Sequence, residues 1–152
     1  MKNALIVAIG AATALSINSH AEAKRVNFGD LPPAVKETAQ RESLGATVKG
    51  YSKEVENGRV EYEVEMMLNG MSKDVSIDPS GKVIEVEQQV SLDAVPAAAM
   101  AAIQKGAEGG SIRMVEEVKS DSETAYEAQI LNHGKHREVR VHADGTRAPE
   151  QN

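Results

Sequence analysis

The sequence predicts an α+β protein built as two tandem units, each one helix followed by a three- to four-stranded antiparallel meander, with the helices on one sheet face. Three observations lead there. The chain repeats itself at an offset of 64 residues. Each copy opens with apolar residues at helical spacing, begun by proline and closed by glycine. Period-2 segments then follow, separated by Asn-Gly and Asp-x-x-Gly turns.

The N-terminus reads as an export signal. Lys2 gives a short positive region, Ala4 to Ala14 form an apolar run broken only by Gly10 and Thr13, and Ala21-Glu22-Ala23 puts small residues where a signal peptidase reads. That run of 11 residues is well short of the ~20 that cross a bilayer. A periplasmic or secreted location is expected, with no membrane insertion after cleavage.

The repeat is ungapped. Pro32 falls on Pro96, Gly45 on Gly109, Tyr62-Glu63 on Tyr126-Glu127, Gly70 on Gly134, Val75 on Val139 and Gly81 on Gly145. In the first copy Asp30 is expected to cap a helix that Pro32 and Pro33 begin, with Leu31, Val35, Thr38 and Ala39 on its buried face and Gly45 as its stop. In the second, Val95, Ala98, Ala99, Ala102 and Ile103 form the face, and Gly106, Gly109 and Gly110 end it.

Strands are expected at Thr47 to Val55, Val60 to Met66, around Val75 to Ile77, and Lys82 to Val90. The second copy gives Ile112 to Val118, Ala125 to Leu131 and Arg137 to His142. Turns are expected at Asn57-Gly58, Asn69-Gly70, Asp78 to Gly81, His133-Gly134 and Asp144-Gly145. The boundaries that follow are 1–23 signal, 24–30 N-terminal lead, 31–90 first unit, 91–94 linker, 95–148 second unit and 149–152 tail.

The Leu31-Pro32-Pro33 and Val95-Pro96 helix starts, the Tyr62-Glu63-Val64 and Tyr126-Glu127-Ala128 strands and the Asp78 to Val83 and Asp144-Gly145-Thr146 hairpins resemble the PepSY and PepSY-like family. A pair of such units is also similar to the fold of secreted β-lactamase-inhibitor proteins. The resemblance implies a non-catalytic binding module, a peptidase inhibitor or regulator recognising a protein or peptide partner such as an exported peptidase.

Composition narrows the chemistry. A net charge of −6 and 3% aromatic residues argue against nucleic acid, whose phosphates require a basic surface. The absence of cysteine excludes disulfides, thiolate metal centres and thiol catalysis. No nucleophile–base, zinc-peptidase or phosphate-loop motif occurs, so no enzyme activity and no cofactor are expected. Paired carboxylates lie in rows expected to be solvated, with no apolar pocket to raise a pKa.

Two sets of residues remain as candidates. Glu61, Glu63 and Glu65 alternate along one strand, with Glu85 and Glu87 on a strand expected nearby, and offer a face for a basic partner. The alternative is a divalent-metal or small-ligand binding protein. His133 and His136 flank a turn and offer two imidazoles, whereas His136 and His142 lie about 20 Å apart at about 3.3 Å per residue. Met66, Met67 and Met71 offer thioethers, with core filling as their simpler role.

Overall fold

The computed structural model describes residues 23–56 and 58–149. Residues 1–22 of the expected 1–23 signal, Asn57 of the first hairpin turn and residues 150–152 of the tail lie outside the described residues.

Chain order is β1 (Lys24–Val26), α1 (Pro33–Glu42), β2 (Thr47–Glu56), β3 (Arg59–Leu68), β4 (Met71–Ile77), β5 (Val83–Gln89), α2 (Ala97–Ala107), β6 (Ser111–Ser120), β7 (Thr124–Asn132) and β8 (Lys135–His142). The strands expected from period-2 patterning are all present. Their assembly corrects the fold expectation. They form one eight-stranded antiparallel sheet in the order β1 to β8, not two tandem helix-and-meander units. The junction is β5 against β6, with Glu85 opposite Ser120 and Gln89 opposite Glu116. An unpaired β5 edge would leave a row of backbone N–H and C=O groups without partners, and β6 satisfies them.

The N-terminal lead contributes a strand that alternation did not reveal, because β1 is only three residues long. It pairs with Tyr51, Ser52 and Lys53 of β2. Asp30 does not cap α1. It closes a 3-10 turn over Phe28–Asp30 by a capping box with Asn27, and α1 starts from Pro32.

Both helices pack on the same face. Val35, Thr38 and Ala39 of α1 lie over Val64, Met66, Val75 and Ile77, and Leu31 and Tyr62 complete that cluster. Ala99, Ile103 and Ala107 of α2 lie over Val115, Tyr126, Ala128, Ile130 and Val141. Ala98 is exposed rather than buried, and Gly106 is inside α2, where an added Cβ would lie 3.0 Å from Val139. A glycine there brings the alanine-rich helix close enough to the sheet to bury its slim face.

Two hairpin glycines fix how the helices sit. Gly81 has φ +88° and an added Cβ would meet the Ala34 carbonyl oxygen at 2.8 Å; Gly145 has φ +83° and would meet that of Ala98 at 2.7 Å. The same contact thus recurs 64 residues along the chain. Asp78 and Asp144 hold these turns through bonds accepted from Ser80 and Thr146.

Candidate functional site

Alternation decides what the opposite, helix-free face carries. Because Val64 and Met66 enter the core, Glu63, Glu65 and Met67 point the other way. The strand register then assembles rows across the sheet. Glu65 faces Asp74, and Asp74 faces Glu87. Glu63 faces Ser76, which faces Glu85. Glu116 faces Gln89 on one side and Glu127 on the other, and Glu127 faces Arg140.

The expected acidic row is therefore spread over β3 and β5, with β4 between them. Glu63, Glu65, Glu85 and Glu87 lie on this face, whereas Glu61 sits past the last β3–β4 pair, opposite Glu54 of β2. Asp74, Glu116, Glu127 and Arg140 are the members that sequence reasoning did not pick out. Asp74 carried a signal, since it alternates outward from Val75 and Ile77. Glu116 did not, because it follows Val115 and precedes Glu117, a run in which both faces look acidic.

At the centre, Asp74, Glu87 and Glu116 bring carboxylate oxygens within 4.8 Å of one another. Asp74 and Glu87 are half-buried and Glu116 is buried, which corrects the expectation of open, solvated rows. Glu116 is 4% exposed, and Val118 and Ala125 beside it on this face are fully buried. Burial first, then the neighbouring carboxylates, pushes Glu63 up to about 7 and Asp74 to about 6. Burial and the charge of Glu138 likewise push Glu127 up to about 7, against the pull of Arg140. Glu87 is held well above the usual carboxylate range by burial and by Glu85, Glu127 and Glu116. Glu116 is raised mainly by burial, although its Oε1 accepts a bond of 3.0 Å from the Ser72 hydroxyl.

Among the described residues, cations pair with carboxylates at the two ends of this face rather than with the central trio. Arg25 of β1 pairs with Glu65 at 2.8 Å. Arg140, its side chain 3% exposed, lies 3.2 Å from Glu123, 3.5 Å from Glu85 and 3.7 Å from Glu127. The charges perturbing Asp74, Glu87 and Glu116 are all carboxylates.

The histidines lie elsewhere. His133 is exposed and takes φ +48° as the first residue of the His133-Gly134 turn, as Asn69 takes φ +53° before Gly70. Both are turn positions with positive φ, which histidine and asparagine tolerate better than most residues. His136 is exposed on β8 opposite Leu131, and neither imidazole joins the carboxylate trio. Met66 is in the core. Met114, by contrast, reaches the helix-free face, with its sulfur 3.6 Å from the Ser72 hydroxyl.

No known family profile matches the chain, and no curated protein does. Solved structures do. A Bacteroides eggerthii protein described as periplasmic superposes with a TM-score of 0.63 at 17% identity, covering 80% of this chain and 88% of that one. A DUF2874 family protein from Bacteroides ovatus gives 0.60 at 19% identity, over 80% and 87%. A BLIP-like protein from Bacteroides fragilis gives 0.58 at 20% identity, over 81% and 88%. At these identities the likeness speaks for the fold alone, and the fold is BLIP-like. The periplasmic or secreted location expected from the N-terminal segment agrees with the description of the Bacteroides eggerthii neighbour. No helix among the described residues is long and apolar enough to cross a membrane.

Proposed function

We propose that this protein is an exported, non-catalytic, PepSY-like binding module whose helix-free face takes a cationic segment of a protein or peptide partner. The observation that carries this reading is the Asp74, Glu87 and Glu116 trio, with oxygens within 4.8 Å of one another and, among the described residues, no Lys or Arg in a salt bridge with it. Crowded, desolvated carboxylates repel one another, and an arriving ammonium or guanidinium relieves that repulsion while its own charge is matched. An inhibitory or regulatory role toward an exported peptidase is the form of this activity that the family resemblance favours.

Pull-down from periplasmic extract with the wild type and with the Asp74→Asn, Glu87→Gln, Glu116→Gln variant tests the reading. A partner held at low salt, weakened at moderate salt and lost by the variant supports it. Equal recovery by both proteins contradicts it.

The same trio favours a second reading, an oxygen-ligated divalent cation such as calcium. Equilibrium dialysis with calcium and zinc separates the two. Stoichiometric binding lost in the triple variant supports the cation. Binding lost instead on changing His133 and His136 together would move the site to the β7–β8 turn.

A further inference from the structure

The chain places one of its own cations on this face by an unusual route. Arg25 leaves β1 at the sheet edge, crosses β2 and meets Glu65 on β3 in a two-pronged contact, with Nη1 2.8 Å from Oε1 and Nη2 2.8 Å from Oε2. The crossing point is Gly50, the register partner of Glu65. A Cβ added at residue 50 would lie 2.1 Å from Arg25 Nη1, so β2 lacks a side chain where the guanidinium passes. The contact matches the shape of guanidinium to carboxylate, yet it remains open to water, with side chains 65% and 29% exposed. A two-pronged pair is stronger than an ordinary surface pair, yet one this open to water stays replaceable by another cation. The strand that carries Arg25 is held by three residue pairs at an edge.

We infer that Arg25 is an internal occupant of the partner-binding face: β1 keeps a cation on Glu65, and a partner's cationic segment displaces it on binding. This rests on the cationic-partner reading above and names the contact that competes with the partner. Glu65 borders the centre of the face directly, since its charge helps push up both Glu63 and Asp74. A cationic segment long enough to reach from Glu87 to Glu65 therefore meets Arg25 at its end.

The test is titration of a hexalysine peptide into the wild type, Arg25→Gln, Gly50→Ala and, as a charge-matched control, Lys24→Gln, all at low salt. Gly50→Ala is the decisive variant, because it closes the passage without changing net charge. Thermal midpoints check that each variant is folded. Binding about two- to fivefold tighter in Gly50→Ala and Arg25→Gln, and by less in Lys24→Gln, is the expected result. Wild-type affinity in Gly50→Ala, or equal gains in Arg25→Gln and Lys24→Gln, overturns the inference while leaving the face as a cation site. No binding by any of the four proteins overturns the cationic-partner reading itself, and this inference with it.

Discussion

Asp74 and Glu87 stand directly opposite each other in the β4–β5 pairing, two carboxylates on one face of the sheet where like charges destabilise. With Glu116 they share a space less than 5 Å across. Protons can relieve that charge, and Arg25 and Arg140 pair with carboxylates at the ends of the face.

Stability should rise on mild acidification. Glu63, Asp74, Glu87, Glu116 and Glu127 all bind protons more tightly folded than unfolded. Between the unfolded range near 4–4.5 and the folded values of about 6 to 7 and above, the native state holds more protons than the unfolded chain. Stability from this source is complete below the unfolded pKa and is lost as pH rises through the folded ones. Urea midpoints should therefore increase from about pH 8 to about pH 5. Below that, Asp78 and Asp144, held low by bonds from Ser80 and Thr146, work in the opposite sense.

Glu87→Gln should stabilise the protein at pH 8 by more than about 1.4 kcal/mol, the equivalent of one pKa unit, because the raised wild-type carboxyl must take up a proton on folding and the amide need not. At pH 5, close to the unfolded value of 4.5, the unfolded carboxyl is itself partly protonated and the gain should shrink. Urea titration of the two proteins at both pH values gives the comparison.

Arg140→Ala should have the reverse dependence. The guanidinium is buried among Glu85, Glu123 and Glu127, and removing it strands their charge. A loss of about 3–5 kcal/mol is expected near pH 8, the range for breaking one side of a buried ion pair. The loss should shrink at pH 5.5, where Glu127 is protonated, and chemical denaturation at both pH values measures the difference.

Gly145→Ala should cost more than Gly134→Ala. Both positions have positive φ, +83° and +76°, and a side chain there costs about 1–2 kcal/mol. Only at Gly145 does the new Cβ also meet a backbone oxygen, that of Ala98 at 2.7 Å, whereas Gly134 faces open space. The difference between the two thermal midpoints reports the hairpin-to-helix contact.

Local structure was legible in the sequence because each part of it is set by near neighbours. Val64 and Met66 alternating with Glu63 and Glu65 fix a strand and its faces, and Asn69-Gly70 fixes a turn with positive φ at both residues. What joins β5 to β6 is a backbone edge finding its complement, which no side-chain period records, so one sheet read as two units. The candidate face was half legible for the same reason. Glu63, Glu65, Glu85 and Glu87 are visible as rows along single strands. Their crowding with Asp74, Glu116 and Glu127 depends on cross-strand register, and so does the burial that raises Glu63 and Glu87.

Calorimetric titration of hexalysine at pH 8 and pH 5.5, into the wild type and into the Asp74→Asn, Glu87→Gln, Glu116→Gln variant, bears most directly on the face as a cation site. Binding to the wild type at pH 8 that weakens at pH 5.5, with proton release shown by a dependence of the heat on buffer, and that is absent in the variant, is the predicted result. Equal binding by the variant, or binding to the wild type that strengthens as the carboxylates take up protons, would contradict it.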